Sequence, residues 1–197
     1  RAKTLGRTGL EVSIVGLGTA FLGMSELNTA SASYEELVTH LDEELGIRTV
    51  HAALEAGCTL IDTAALYGGG RSEAIIGQAL RARPDLAAGC TVTTKVGRTL
   101  QGYDYSYDGV MRSIEASQTR LGLERFDVVY IHDAMGVPWE TVMGKGGALE
   151  ALRSLQAQGI VRFVGTAADD PRTNAPYIES GEFHAAGAPP NGTTWAS

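Results

Sequence analysis

Short apolar runs rich in β-branched residues alternate along this chain with segments in which apolar residues recur every three or four positions. The short runs are typical of parallel strands buried on both faces, and they cover residues 14–17, 59–61, 92–94, 128–131 and 161–164. The helical repeats between them are Ile75, Ile76, Ala79 and Leu80, then Val110, Ile114, Ser117 and Leu121, then Leu149, Leu152 and Leu155. This alternation predicts an α/β protein built from strand–helix units with right-handed crossovers.

Two further elements are predicted in the first part of the chain. Residues 4–12 surround a glycine-containing turn and predict a β-hairpin that could plug the bottom of a barrel. Residues 28–46 lengthen the interval between the first two strands, and Ser33 with Glu36 predicts a capping box for an acidic surface helix.

Composition limits the classes of function that this chain can have. With 197 residues, of which 44% are apolar and 20% charged, it most simply forms one globular domain. A net charge of −7 without a basic and aromatic cluster argues against nucleic acid as a partner. Cys58 and Cys90 predict buried, reduced thiols, and no metal site is expected. No signal sequence or long apolar stretch is visible, which predicts a cytoplasmic protein without a membrane partner.

Four ionisable residues lie at the ends of the predicted strands or just beyond them. Asp62, Lys95 and His132 each close an apolar run, and Tyr67 follows Asp62 in a glycine-ended loop. Because the carboxyl ends of parallel strands share one face, we expect these four side chains to meet there.

Together these residues would support proton transfer to a carbonyl group. A phenol has an unperturbed pKa of about 10, and a nearby ammonium, here Lys95, would stabilise its anion. Burying the Lys95 charge is costly unless Asp62 pairs with it, and His132 could orient a carbonyl oxygen. Tyr67 would then protonate the carbonyl oxygen as hydride arrives, and its anion would remove a hydroxyl proton in reverse.

Other interpretations of these residues stay open. Asp62 could cap a turn, Tyr67 could be a packing aromatic, Lys95 could reach solvent and His132 could satisfy backbone groups. A lysine at a barrel strand end also suits a Schiff-base lyase. A metal-dependent hydrolase is disfavoured because the sequence has no His-x-His or comparable ligand cluster.

Neither glycine-rich stretch predicts a nucleotide-binding loop. After Gly16 and Gly18, Phe21 stands where a Rossmann fingerprint has its third glycine. Residues 68–73 lack the lysine and the spacing of a phosphate-binding loop, and their glycines instead predict a sharp turn into a helix. An anion site at the start of that helix stays open as the alternative.

Three stretches of the sequence resemble the aldo-keto reductases, a family that folds as (β/α)8 barrels. They are residues 16–19, residues 61–68 with 72–80, and residues 120–123 leading into Asp127 and His132. The resemblance implies that Tyr67 is the proton donor, that Lys95 and Asp62 lower its pKa, and that His132 positions the substrate carbonyl.

The resemblance also implies a nicotinamide cofactor, either NADP or NAD. The nicotinamide end would lie against Gly18, Thr19 and Ala20, with Asp62 beside them. The sequence does not distinguish the two cofactors.

The same resemblance suggests a substrate class. Residues 132–138 and 144–149 are most similar to the sugar-oxidising D-threo-aldose 1-dehydrogenases and L-fucose dehydrogenases, and a pyridoxal-oxidising branch is also similar. We therefore expect a small carbonyl compound or a sugar as substrate. Phe21, Leu66 and Trp139 are the predicted walls of its pocket.

The resemblance covers residues 3–183 and predicts an incomplete barrel. We expect about five to six strand–helix units over residues 1–183, followed by an irregular tail over residues 184–197, because Pro189 and Pro190 argue against a central strand. Measured against a whole barrel, the chain is expected to be truncated by about a third. Bare strand edges would then invite a second copy, and a non-catalytic fragment with little cofactor binding is the alternative to an active oxidoreductase.

Overall fold

The computed structural model describes residues 1–24 and 38–188, in which short strands alternate with helices. The strands in chain order are β1 (Ala2–Thr4), β2 (Glu11–Ser13), β3 (Leu17–Gly18), β4 (Leu60–Asp62), β5 (Thr91–Val96), β6 (Arg98–Thr99), β7 (Gly102–Tyr103), β8 (Phe126–His132), β9 (Val161–Ala167) and β10 (Ala185–Gly187). The helices are α1 (Glu43–Glu55), α2 (Arg71–Ala82), α3 (Pro84–Ala87), α4 (Tyr107–Leu121), α5 (Trp139–Met143), α6 (Ala148–Ala157) and α7 (Pro171–Glu179). None of the helices in these ranges is both long and apolar enough to span a bilayer.

Six of the strands form one curled parallel sheet with the order β10-β9-β8-β5-β4-β3. Each strand pairs in parallel with its neighbour, so all carboxyl ends lie at the same rim. With helices on its convex side, the sheet forms a half-barrel, which confirms the predicted incomplete α/β barrel. Two antiparallel hairpins, β1 with β2 and β6 with β7, lie outside this sheet.

Alternate residues of each strand face the helices and fill the outer core. Ile61, Val129 and Val164 are almost fully buried, and they belong to one cluster with apolar residues of α2, α4 and α6. The predicted helical repeats all fall on these three helices. The 3.6-residue period therefore located the buried helix faces correctly.

The strands agree with the predicted runs except at the first. β3 comprises only Leu17 and Gly18, whereas Ile14 and Val15 are 61% and 72% exposed. Those two residues follow directly after β2, and the Ile14 amide donates to the Arg1 carbonyl at 3.3 Å. The hairpin therefore holds this segment away from the sheet, a long-range contact that local hydrophobicity does not reveal.

The hairpin β1–β2 packs against the concave face of the half-barrel. Leu5 and Leu10 contact a buried cluster that contains Val128 and Tyr130, which point inward from β8. Gly6 has a φ of +53°, and a Cβ there would lie 2.4 Å from the His184 carbonyl oxygen. Only glycine permits this close approach.

The chain after residue 183 differs from the irregular tail predicted from its glycine and proline content. Ala185–Gly187 form β10, which pairs in parallel with β9 and places Ala185 opposite Gly165. The segment is too short and too poor in β-branched residues to give a strand signal, yet β9 offers it a free edge. The prolines that argued against a strand and the predicted capping box of Ser33 and Glu36 lie outside the described residues.

A buried ion pair connects α2 to α4 and β5. Glu73 is fully buried. The Arg120 guanidinium donates to Glu73 Oε2 through Nε at 2.7 Å, and its Nη2 lies 2.6 Å from the same oxygen. Thr94 on β5 donates to Glu73 Oε1 at 2.6 Å. Both carboxylate oxygens thus have partners, as a buried charge requires.

Candidate active site

Lys95 occupies the centre of the rim at the carboxyl ends of the strands. Its Nζ lies 2.6 Å from Asp62 Oδ2, 2.9 Å from the Thr63 carbonyl oxygen and 3.2 Å from the Tyr67 hydroxyl. The Lys95 side chain is only 6% exposed, and these three hydrogen bonds use all three of its ammonium protons. The buried cation is therefore fully paired.

Asp62 is held in place by the register of the neighbouring strands. Asp62 ends β4 directly beside Thr93 of β5, and the Thr93 hydroxyl donates to Asp62 Oδ1 at 2.8 Å. Its other carboxylate oxygen is thereby left to face Lys95. The pairing of carboxylate and ammonium anticipated from the sequence is present.

Tyr67 begins a short 3-10 turn, Tyr67–Gly70, that leads into α2. Gly68 and Gly69 both have a φ of +62°, a left-handed conformation that lets the chain reverse within this turn. The turn brings the Tyr67 ring under the Lys95 ammonium, with Nζ 4.7 Å from the ring centroid. The Tyr67 and His132 rings are nearly perpendicular, with an interplanar angle of 88° and centroids 5.7 Å apart.

The pKa of Tyr67 departs from the expectation drawn from the resemblance. Burial raises the pKa above its ordinary value of 10.0, Lys95 lowers it by a smaller amount, and Asp62 raises it again. Asp62 therefore does not help to acidify the phenol in this structure. The direct partner of Asp62 is Lys95. The Tyr67 phenol keeps its proton at neutral pH.

His132 ends β8 and faces the same rim. Its backbone carbonyl accepts a hydrogen bond from the Tyr105 hydroxyl at 2.5 Å, which fixes the end of the strand. Burial lowers the pKa of His132 from 6.5 to about 3, and the positive charges of Lys95 and Arg98 act in the same direction. The imidazole is therefore neutral at physiological pH.

This depressed pKa of His132 predicts an acid-sensitive contribution to folding. Between pH 6.5 and about 3 the unfolded chain binds a proton at His132 that the folded chain does not. The contribution of His132 to stability is therefore fully present above pH 6.5 and falls as the pH decreases through this window, by about 5 kcal/mol in all and about 3 kcal/mol by pH 4. Urea unfolding between pH 7 and 4 should show a shallower loss in His132→Gln than in the wild-type chain. Parallel curves for the two proteins would contradict this assignment.

The four side chains surround a cavity of about 320 Å³ on the concave side of the sheet. It is lined by Leu5, Leu60, Asp62, Tyr67, Thr93, Lys95, Tyr130, His132, Asp133, Ala167, Ala168, Asp169, Ala186, Gly187 and Ala188. The sequence interpretation missed the other polar residues that line this cavity, above all Asp133, which forms an ion pair with Arg98. The one available signal was the position of Asp133 directly after His132.

The predicted cofactor-binding residues lie beside Asp62 at the end of β3. Gly18 pairs with Asp62 across the sheet, and the space where a Gly18 side chain would project is open. Thr19 is buried, and its amide and hydroxyl both donate to the Asp62 carbonyl, at 3.1 and 2.9 Å. Ala20 is partly buried. The result is a firmly held stretch of backbone with little side-chain bulk, which suits a flat ring.

The three predicted pocket walls lie elsewhere. Phe21 is 60% exposed, Leu66 is partly buried in the loop before Tyr67, and Trp139 stacks on Tyr177 with ring centroids 5.0 Å apart. Among the described residues, none of the three lines the 320 Å³ cavity. Their contact with a substrate stays a prediction.

Comparison with known proteins links this chain to one family. The family model described as "Aldo/keto reductase family" matches residues 15–175. The chain is 32% identical to pyridoxal 4-dehydrogenase of Microbacterium luteolum, in a match that covers 83% of this chain and 54% of the relative. It is also 32% identical to L-galactose dehydrogenase of Arabidopsis thaliana over 163 residues, covering 83% and 47% of the two chains.

A sugar dehydrogenase predicted from the sequence is also among the matches. D-threo-aldose 1-dehydrogenase of a Pseudomonas species is 29% identical, in a match that covers 74% of this chain and 50% of the relative. The chain thus spans about half the length of the curated relatives that it matches.

The fold has a close match among solved structures. An aldo-keto reductase from Bacillus halodurans, solved in its holo form, superposes with a TM-score of 0.70 at 26% identity. The superposition covers 91% of this chain and 54% of that one.

Proposed function

Because the chain belongs to the aldo/keto reductase family, we propose that it interconverts a carbonyl compound and an alcohol with NADP or NAD as cofactor. The observation that carries the proposal is the contact of Lys95 Nζ with the Tyr67 hydroxyl at 3.2 Å and with Asp62 at 2.6 Å. These groups line an open cavity that a small substrate can enter.

Tyr67 is the proposed proton donor in the direction of reduction. Its raised pKa keeps the phenol protonated at neutral pH, so a proton is available when negative charge develops on the carbonyl oxygen. The phenolate that remains is next to the Lys95 ammonium, which stabilises the new charge. Asp62 and the Thr63 carbonyl keep that ammonium pointed at Tyr67.

His132 is the proposed positioning group for the substrate oxygen. A neutral imidazole can donate one hydrogen bond without losing its proton, and the lowered pKa of His132 keeps it neutral. His132 and Tyr67 line the same cavity with ring centroids 5.7 Å apart, which supports a carbonyl oxygen held between them. The carbonyl would thus be held by two donors.

The surface beside Asp62 fits the proposed cofactor. Gly18, Thr19 and Ala20 would hold the nicotinamide end, because an open glycine backbone accepts a flat ring that a larger side chain would block. NADP or NAD, when bound, would supply the hydride. Turnover with NADPH or with NADH decides between the two cofactors.

The relatives favour a hydroxyl-bearing aldehyde or a sugar as substrate. Their names refer to pyridoxal, L-galactose and D-threo-aldose, all of which combine an oxidisable or reducible carbon with hydroxyl groups. The cavity offers Asp133 and Asp169 as acceptors for such hydroxyls beyond the Tyr67 and His132 pair. We propose a substrate of this class.

The Schiff-base lyase alternative is disfavoured by the state of Lys95. A lysine attacks a carbonyl through a free lone pair, whereas Lys95 uses its three ammonium protons in hydrogen bonds and faces a carboxylate. Borohydride should therefore not trap substrate on Lys95.

An absorbance assay tests the proposed function. Purified protein is mixed with NADPH or NADH and a panel of aldehydes, and in reverse with NADP or NAD and aldoses, while nicotinamide absorbance is followed. The proposal predicts turnover with one of these pairs and a change in cofactor fluorescence on binding. If neither cofactor binds at millimolar concentration, the non-catalytic alternative is correct.

Two statements about the whole protein stay predictions. A cytoplasmic location follows only from the sequence pattern, and self-association is expected only because β3 and β10 each have one partner strand among the described residues. A measurement of molecular mass in solution would check the second.

A further inference from the structure

Asp133 lies directly against the His132 imidazole, and the proton transfer described above does not use it. Asp133 Oδ2 is 3.7 Å from His132 Nε2, and both side chains are only 6% exposed. Asp133 is also the one non-glycine residue with a positive φ, +47°, among those the structure describes. Such a backbone conformation is uncommon and is best tolerated by Asn and Asp.

Asp133 is held both at its backbone and at its carboxylate. The Asp133 amide donates to the Ala167 carbonyl on β9 at 2.7 Å, which extends the ladder between β8 and β9 by one bond. Arg98, on the adjacent β6, forms an ion pair with Oδ2. The left-handed turn and these two contacts together set the carboxylate beside the histidine ring.

The two ring nitrogens of His132 have very different surroundings. Nδ1 is buried and has no hydrogen-bond partner among the described residues, whereas Nε2 faces the Asp133 carboxylate. His132 and Asp133 both line the cavity, so a substrate approaching from the cavity can reach the ring at its Nε2 end. The positive charges of Lys95 and Arg98 oppose a second proton on the ring.

A neutral imidazole carries one proton, and these surroundings favour one of its two positions. A proton on Nδ1 would be a buried donor without an acceptor, and the Nε2 lone pair would then face a negative carboxylate. A proton on Nε2 lies beside that carboxylate, whose Oδ2 is 3.7 Å from Nε2, and leaves only an unpaired acceptor at Nδ1. The second arrangement avoids both unfavourable contacts.

We propose that Asp133 is a positioning residue that holds the single proton of His132 on Nε2. The hydrogen-bond donor of His132 is thereby directed toward the cavity before any substrate binds. The consequence for catalysis rests on the proposed function, in which His132 donates to the substrate oxygen. The tautomer itself is a property of the folded chain and does not depend on that function.

Nitrogen-15 NMR of the histidine side chains tests the proposal on the protein without cofactor or substrate. The chain has 4 histidines, and the spectrum of His132→Gln identifies the signals of His132. The proposal predicts that at pH 7 the Nε2 signal of wild-type His132 has the shift of a protonated ring nitrogen and Nδ1 that of an unprotonated one.

Three variants show whether Asp133 causes this preference. Asp133→Gly keeps the left-handed backbone accessible and removes the carboxylate, so both His132 signals should move toward the average of the two tautomers. Asp133→Asn keeps an oxygen acceptor and should preserve the Nε2–H form in part. Asp169→Asn removes another cavity carboxylate, which is exposed, and should leave both signals unchanged.

Two results would overturn the proposal. One is a wild-type His132 with its proton on Nδ1, which needs no Asp133 variant to observe. The other is an unchanged Nε2–H form in a folded Asp133→Gly. Because no turnover is measured, a chain that fails to bind NADP or NAD would refute the proposed function and leave this test intact.

Discussion

Replacing Tyr67 with phenylalanine should lower the rate of carbonyl reduction by about 10²- to 10⁴-fold, the usual contribution of a general acid. The variant removes the hydroxyl that contacts Lys95 at 3.2 Å and leaves the ring that packs against His132. Cofactor affinity should change little, and loss of one of the two donors to the carbonyl should raise KM only slightly, so most of the loss should appear in kcat. Steady-state consumption of NADPH or NADH with the best aldehyde of the panel measures it.

Tyr107→Phe is the matched control for this experiment. The Tyr107 hydroxyl donates to Ser154 at 3.0 Å, and Tyr107 does not line the cavity. This variant loses a phenol of the same kind and should retain wild-type kcat. A Tyr67→Phe enzyme that stays within about threefold of the wild type would show that another group supplies the proton, since a working general acid is worth at least about 10²-fold.

Replacing Glu73 with glutamine should destabilise the fold by about 3 kcal/mol, because it leaves the Arg120 guanidinium without its anionic partner in a largely buried site. Glu73 is fully buried and Arg120 is 28% exposed, so solvent relieves only part of the loss. This change acts on the packing of α2 against α4 and not on the cavity. Urea unfolding followed by circular dichroism gives the difference in free energy of unfolding.

An exposed ion pair provides the comparison for Glu73. Glu55 is 54% exposed and pairs with Arg83 at the surface, so Glu55→Gln should cost no more than about 1 kcal/mol. The double variant Glu73→Met, Arg120→Met should lose less free energy of unfolding than the sum of the losses in the single variants Glu73→Met and Arg120→Met, because it removes both buried charges together. Equal losses in Glu73→Gln and Glu55→Gln would contradict the structural role of the buried pair.

Much of the fold follows from patterns that are local in sequence. β5, β8 and β9 are buried on both faces, so their apolar runs were visible without any knowledge of their partners. β10 was missed because Ala185–Gly187 has no such run and is a strand only through its pairing with β9. The start of β3 was misplaced because the hairpin, a tertiary contact, keeps Ile14 and Val15 exposed.

The sequence identified the residues of the site more completely than it identified their electrostatic surroundings. Asp62, Lys95 and His132 stand at strand ends, and parallel topology alone brings such residues to one rim. The direction of the Tyr67 pKa was not predictable, because it depends on how deeply the ring is buried relative to its distance from Lys95. The contact of Asp133 with His132 depends on a backbone dihedral angle that the sequence does not specify.

Deuterium transfer gives the most direct test of the central claim, that Tyr67, Lys95, Asp62 and His132 form a site for carbonyl reduction. The protein is incubated with an aldehyde and with NADPH or NADH deuterated at C4, and the alcohol product is analysed by mass spectrometry. We predict an alcohol with one deuterium on the former carbonyl carbon, formed by the wild-type chain and lost in Tyr67→Phe. Absence of labelled alcohol with both cofactors, or equal labelling by the wild type and Tyr67→Phe, would contradict the account.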